Sequence, residues 1–199
     1  MSGPAGPKDR SGIWILPLAT GKLHKLIDDA LAGAALSPDE SRVVFRRTSV
    51  REIWIMKATG EEPRKLLSAS QASSVHDRRL AWFPDGRRIA FASASRADDE
   101  FLIQSYDLET GQTSVILSDP KGGDFCLTRD GRIIYSRLED GANEKSANLW
   151  EVGIDLRTAQ IRGVPKRLTN WPGSFFRALG STRDSRRLFF IRLHDQNSV

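Results

Sequence analysis

The chain lacks the cysteine pairs, the long apolar segments and the apolar N-terminal segment that mark disulfide-bonded, membrane-spanning and exported proteins. It contains one Cys among 199 residues, so Cys126 has no internal disulfide partner and no second thiol for a zinc site. No segment approaches the ~18–20 consecutive apolar residues of a transmembrane helix, which argues against membrane insertion. The opening MSGPAGPKDRSG lacks the apolar centre of a signal peptide. As written, the chain is expected to be cytoplasmic.

Recognisable catalytic and metal-binding motifs are also missing. The sequence has no GxSxG, HExxH, P-loop or GxGxxG pattern and no spaced aspartates of a calcium loop. His24, His76 and His194 occupy different positions in the chain, and nothing in their spacing makes them converge on a metal ion. We therefore predict no catalytic residue, no metal site and no cofactor.

The charge of the chain is moderately positive. There are 30 Lys and Arg against 25 Asp and Glu, a net charge of +5. The positive residues are spread along the whole length and alternate with carboxylates, whereas a nucleic-acid-binding protein concentrates them on one face. A nucleic-acid partner is therefore not expected.

What the sequence does contain is an internal repeat. Four segments align on a shared aspartate, at intervals of roughly 45–55 residues: LSPDESRVVF (36–45), WFPDGRRIAF (82–91), LTRDGRIIYS (127–136) and STRDSRRLFF (181–190). A second set, including IWILPLATGK (13–22) and IWIMKATGEE (53–62), carries a Thr-Gly turn between apolar and basic segments. Repeats of this period and punctuation are typical of the four-stranded blades of a β-propeller.

The shared aspartates are explained by turn chemistry. Pro84 presets its own φ, Asp85 caps the turn with its side chain, and Gly86 can adopt a positive φ without strain. Where Gly is replaced by Glu40 or Ser185, the turn must change type or carry strain. The strand after the Asp85 turn alternates large and small residues at 89–92 (IAFA), which suits a sheet packed between two neighbours. No long helix is predicted, and the fold class is all-β.

The Pro-Asp-Gly hairpin, the RIAF and IWIM strands and the final RKL segments together resemble the TolB-like propeller repeats, a Pro-Asp variant of WD-type repeats. This resemblance extends from about residue 9 to residue 194 and implies a bacterial protein. It implies an N-terminal tail (1–12), a half blade (13–27), blades at about 31–67, 78–117 and 123–169, a half blade (174–193) and a C-terminal tail (194–199). About four blades' worth of strands is either an open fragment of a larger propeller, which we favour, or a closed ring of four blades.

For function, the resemblance implies a scaffold more than a reaction. The favoured hypothesis is a non-catalytic propeller that binds protein or peptide partners. The alternatives are the propeller portion of a prolyl-oligopeptidase-like hydrolase and the sensor region of a bacterial Ser/Thr kinase or winged-helix regulator. TolB itself is periplasmic, so a periplasmic or extracytoplasmic location is the alternative if the chain belongs to a longer parent.

Two surfaces are candidates for partner contacts. Three pairs of arginines beside the turns are predicted to gather at one rim and to attract an anionic partner: Arg46 and Arg47, Arg87 and Arg88, Arg186 and Arg187. An open run of blades would also expose apolar faces at both ends, and such faces favour self-association.

Overall fold

The structure is a computed structural model that describes residues 11–47, 49–50, 52–68, 79–94, 100–140 and 145–194. All regular elements in these ranges are β-strands. The sixteen strands are β1 Gly12–Ile15, β2 His24–Asp28, β3 Ala30–Leu36, β4 Arg42–Arg47, β5 Glu52–Lys57, β6 Arg64–Leu67, β7 Leu80–Trp82, β8 Arg88–Ala94, β9 Phe101–Asp107, β10 Thr113–Asp119, β11 Gly122–Leu127, β12 Arg132–Asp140, β13 Lys145–Ile154, β14 Ile161–Arg167, β15 Ser174–Ser181 and β16 Leu188–His194.

The strands form five antiparallel sheets in chain order. Sheet one is the pair β1–β2, sheets two, three and four contain β3–β6, β7–β10 and β11–β14, and sheet five is the pair β15–β16. Strands that are consecutive in the chain are neighbours in the sheet, so every connection inside a sheet is a hairpin. This is the meander expected for the blades of a propeller.

The core consists of four apolar layers, one between each pair of consecutive sheets. Their central residues, from the first layer to the last, are Phe45 and Met56; Val44, Ile55 and Phe91; Ala90, Phe125 and Val152; and Leu149, Phe176 and Leu179. Sheets two, three and four therefore bury both faces, as the continuous apolar strands of the sequence predict.

Strand β8 shows how one sheet serves two layers. Ile89 and Phe91 pack toward sheet two, while Ala90 and Ala92 pack toward sheet four. All four are buried. The predicted division into a large and a small face is confirmed, and it follows from the two-residue period of a β-strand.

The four aspartate turns share one backbone conformation. The residue after the aspartate has a positive φ in each of them, 61° at Glu40, 66° at Gly86, 85° at Gly131 and 58° at Ser185. Of the two outcomes expected where Gly is missing, the structure has the strained one, because Glu40 and Ser185 adopt a region that disfavours residues with a Cβ.

The turn-capping role of the aspartates is also confirmed. Asp39 accepts hydrogen bonds from the hydroxyls of Ser37 (2.5 Å) and Ser41 (2.7 Å) and from the Ser41 amide (3.2 Å). These bonds, that of Ser37 foremost, lower the pKa of Asp39 from 3.8 to about 2. Asp85 and Asp184 likewise accept main-chain amides two residues further on. The aspartates are thus accounted for by local structure.

The two ends of the run of sheets are open. Strand β1 pairs only with β2, and β16 pairs only with β15, so the described strands do not complete a ring. Of the two arrangements considered from the sequence, this is the open one. Phe189 and Ile191 on β16 are consequently exposed, by 60% and 54%.

The strained turn generates the first prediction. Replacing Glu40 with Gly should stabilise the protein by about 1 kcal/mol, because Gly removes the Cβ clash of a left-handed residue. Urea unfolding of the variant and the wild type measures this difference. The matched control is Glu109→Gly, in a turn position without a positive φ, where the same substitution should bring no gain. An equal effect at both positions would contradict the strain at Glu40.

Candidate functional site: the axial cleft

The first strands of sheets two to five surround a cleft along the axis of the stack. The cleft has a volume of about 970 Å³. Its walls come mainly from the middle of β3 and from the beginnings of β7, β11 and β15 with the residues just before β7 and β11, and β12, β13 and β16 contribute further residues. A volume at the upper end of the roughly 300–1,000 Å³ of ligand sites makes it the principal candidate for binding.

The carboxylate of Asp124 links three sheets at the wall of this cleft. Asp124 lies in β11 and is only 6% exposed. It accepts hydrogen bonds from Nε and Nη2 of Arg79, just before β7, at 2.8 and 3.0 Å. Its Oδ2 also accepts the amide of Leu179 in β15, at 3.0 Å. A buried carboxylate needs such charge-assisted bonds, so one side chain holds sheets three, four and five in register at the axis.

β-bulges in the innermost strands make these contacts feasible. At the bulge of β15, Ala178 has a φ of 56°, and the following Leu179 amide meets Asp124. In β11, a Cβ on Gly123 would lie 2.6 Å from Oγ of Ser136, so a larger residue there would force the Ser136 side chain to shift. Register shifts mark the bulges between Leu31 and Ala35 in β3, Gly122 and Phe125 in β11, and Arg177 and Gly180 in β15. Bulges of this kind are common where a strand borders a functional site.

The charge of the cleft is positive. Arg79 and Asp124 neutralise each other. Arg177 is exposed and contributes to the lining, and it forms no ion pair with any residue the structure describes. Lys121 also lines the wall, and Phe175 provides apolar surface. The cleft therefore suits a ligand with both acidic and apolar groups.

A narrower cleft of about 330 Å³ lies at the other end of the axis, among the aspartate turns. Here two arginines connect a sheet to the turn of the next sheet. Nη2 of Arg42 in sheet two donates to the carbonyl of Gly86 at 3.1 Å, and Nη2 of Arg132 in sheet four donates to the carbonyl of Ser185 at 2.8 Å. These arginines therefore have a structural role in linking the sheets.

The structure does not gather the six predicted rim arginines on one surface. Arg46 and Arg47 lie at the end of β4, opposite the aspartate turn that precedes this strand. The guanidinium of Arg47 lies 5.0 Å from the ring of Trp54 and 3.6 Å from the carboxylate of Asp29. The prediction of a common rim is wrong for this pair, because a strand of six residues separates it from the turn by roughly 17 Å.

The other four arginines do follow their turns, yet they differ in exposure. Arg87 binds the carboxylates of Asp107 and Glu109, both at 2.9 Å, and Arg88 is buried against Asp85. Arg186 and Arg187 are exposed. Only this last pair offers the open positive surface that the sequence predicted, and its role in partner binding stays a prediction.

No constellation of catalytic or metal-binding groups is found in the described ranges. They contain no group of three or more His, Cys, Asp or Glu side chains able to hold a metal ion. His24 lies in β2, His194 ends β16, and His76 lies outside the described residues. Burial raises the pKa of the Cys126 thiol to about 12, so it stays protonated at neutral pH.

None of the described residues belongs to a helix that is long and apolar enough to cross a membrane.

Sequence reasoning missed the two residues that matter most at the cleft. Arg79 and Asp124 each stand three residues before the last residue of an innermost strand, Trp82 and Leu127. They are therefore opposite charges at one repeat position in consecutive sheets. That relation was readable from the aligned repeats, although neither residue belongs to a local motif.

The buried link generates the second prediction. Arg79→Met should destabilise the protein by about 3 kcal/mol, because it leaves the Asp124 carboxylate buried without its cation. Adding Asp124→Asn should recover part of the loss, and urea unfolding of both variants measures the coupling. The control is Arg162→Met, which removes an exposed partner of Asp155 and should cost less than about 1 kcal/mol. A similar loss in both single variants would contradict the role of the link.

No protein-family model matches the sequence, and no curated protein matches it. Solved structures do resemble the fold. TolB from Acinetobacter baumannii aligns with 98% of this chain and 46% of its own, at 18% identity and a TM-score of 0.74. An oligogalacturonate lyase from Vibrio parahaemolyticus aligns with 94% of this chain and 54% of its own, at 12% identity and a TM-score of 0.70.

A third similar structure is the β-propeller domain of the Trilobed protease from Pyrococcus furiosus, described as having an open velcro topology. It aligns with 94% of this chain and 62% of its own, at 16% identity and a TM-score of 0.60. The chain thus spans about half the length of these structures. At such identities the similarity concerns the fold alone. The fold of this chain is a partial β-propeller that resembles part of the TolB structure.

Proposed function

We propose that the chain is a non-catalytic propeller scaffold that binds a protein or peptide partner in the axial cleft. The observation that carries the proposal is the combination of an open cleft, the positive charge of the exposed Arg177 and apolar surface on the innermost strands. The partner segment is extended and carries carboxylates.

The rigidity of the cleft supports this role. The Asp124 carboxylate fixes three sheets relative to one another, and the arginine links fix the turns at the other end of the axis. A partner then meets a preorganised surface and binds without the cost of ordering it. The exposed Arg186 and Arg187 lie at the other end of the axis and add to the positive potential that steers an acidic partner toward the protein.

Chemistry supports recognition over catalysis. The most prominent ionisable pair at the cleft, Arg79 and Asp124, is consumed by structural hydrogen bonds. General acid–base or nucleophilic catalysis requires a base within hydrogen-bond reach of a reacting group. The positions of His24 and His194, on the second strand of sheet one and at the end of sheet five, bring neither to the cleft wall.

The second candidate is the propeller portion of a hydrolase. It is favoured by the similarity to the propeller domain of the Trilobed protease. In that case the cleft would admit peptide to a catalytic domain elsewhere in a longer chain. Sequencing the reading frame beyond Val199 distinguishes this candidate, because an α/β-hydrolase carries a GxSxG segment followed by Asp and His. A kinase or winged-helix sequence in the same frame would instead support a sensor region.

Peptide selection tests the proposal directly. Phage-displayed peptides selected on the full chain should be enriched in acidic residues, and Arg177→Glu should weaken the binding of a selected synthetic peptide about tenfold, because it reverses the charge at the cleft. Fluorescence anisotropy measures the affinities.

The control is Arg157→Glu, an equally drastic change at an exposed residue of the β13–β14 turn, away from the cleft lining. It should leave the affinity within about twofold of the wild type. Equal losses in the two variants, or a selection without enrichment of acidic peptides, would refute binding in the axial cleft.

A further inference from the structure

The two terminal sheets correspond to complementary halves of one four-stranded sheet. Sheet one repeats the outer half of sheet two, including its register shift: Ile13↔Ile27 and Trp14↔Lys25 match Ile53↔Leu67 and Trp54↔Lys65. Sheet five repeats the inner half. The Thr182 amide donates to the Arg187 carbonyl across the turn as the Ser37 amide does to that of Arg42. Strand β16 therefore lacks the neighbour that β5 provides for β4, and β1 lacks the neighbour that β4 provides for β5.

A side-chain pair marks the junction between these two halves in the complete sheets. In sheet two, the Arg47 guanidinium lies 5.0 Å from the ring of Trp54. In sheet four, Arg137 lies at the same distance from Trp150. Sheet three has neither residue, and at this place Gln104 donates to Ser93 at 2.5 Å. At this place, the second and third strands carry either an Arg with a Trp, as in sheets two and four, or a Ser with a Gln, as in sheet three.

The terminal halves carry the Arg and the Trp separately. In sheet two, Phe45 lies opposite Trp54, and the arginine follows the phenylalanine by two residues. Sheet five has Phe190 with Arg192 two residues later, and sheet one has Trp14 at the position of Trp54. Joining β16 to β1 in the register of β4 and β5 places Phe190 opposite Trp14 and Arg192 beside its ring. Within one chain Arg192 lies 5.0 Å from the ring of Trp171 and donates to Oγ of Ser174 at 2.9 Å, so the register, and not an unpartnered arginine, carries the argument.

The exposed apolar residues fit the same junction. In this register Phe189 lies opposite Ile15, as Val44 lies opposite Ile55, and Ile191 lies opposite Ile13. Ile13 packs against sheet two. Because residues opposite each other share a face of the sheet, Phe189 and Ile191 would also face the sheet two that belongs to this β1. Their present exposure would be removed.

We propose that β16 of one copy pairs with β1 of a second copy of this chain. Three four-stranded sheets lie between sheets one and five, and no strand of one pairs with a strand of the other in the described chain. A second copy supplies the missing strands without moving any sheet. The interface is head to tail, so two copies form a ring if the rotation closes and a longer assembly if it does not.

Disulfide trapping between two variants, each with one added cysteine, tests this pairing. Phe189→Cys and Ile15→Cys are made separately, mixed and oxidised, since Val44 and Ile55 show that these positions face each other in the proposed register. A covalent heterodimer of twice 22.2 kDa is expected. The native Cys126 is buried and does not compete. The matched control replaces Phe189→Cys with Val115→Cys, on an exposed outer strand, and should give no heterodimer.

Light scattering with a charged variant gives an independent measure. The wild type should show masses above 22.2 kDa, and Phe189→Glu should weaken association at least about tenfold, whereas Val164→Glu on β14 should have little effect. Circular dichroism checks that each variant is folded. A wild-type mass of 22.2 kDa with no heterodimer would overturn the proposal. An intrachain disulfide in the double variant Ile15→Cys/Phe189→Cys would also overturn it, because that bond would indicate closure within one chain. Association of the wild type without the cross-link between positions 15 and 189 would overturn it as well, because the copies would then associate through another surface.

Discussion

Every internal sheet of this protein has two apolar faces, and the rest of the structure follows from the need to cover both. A sheet such as β7–β10 places Phe91 on one side and Ala90 on the other, so it is stable only between two neighbours. Four apolar layers hold five sheets together. The same requirement leaves the outer face of sheet five uncovered and makes a second copy a physically suitable neighbour.

Polar contacts at the axis fix the orientation of each sheet relative to the next, which apolar packing does not. Hydrophobic contact is non-directional and does not by itself fix how one sheet is rotated against the next. The Asp124 carboxylate, with its donors Arg79 and Leu179, and the Arg132 guanidinium on the Ser185 carbonyl supply fixed distances at opposite ends of the axis. The innermost strands are thereby held apart at a definite spacing, and the axial cleft between them keeps its shape.

Local patterns predicted much of the fold. The turns around Asp39 and Asp85 and the alternation at residues 89–92 depend on neighbours within a few positions, so their structure could be read from the sequence. The prediction of a common arginine rim was wrong for Arg46 and Arg47, because these residues lie at the far end of β4, a full strand length from the turn. The Arg79–Asp124 link joins two sheets across 45 residues and has no local signal. It could be found only by comparing equivalent positions of the repeats.

The central claim is that each sheet owes its stability to the sheets on both sides of it. Native-state hydrogen exchange tests this most directly, on protein diluted until light scattering gives the monomer mass of 22.2 kDa. The amides of β8 and β9 in sheet three should exchange only on global unfolding, and those of β2 and β16, in sheets with one neighbour, should exchange at least about tenfold faster. Equal exchange rates in all five sheets would contradict the account.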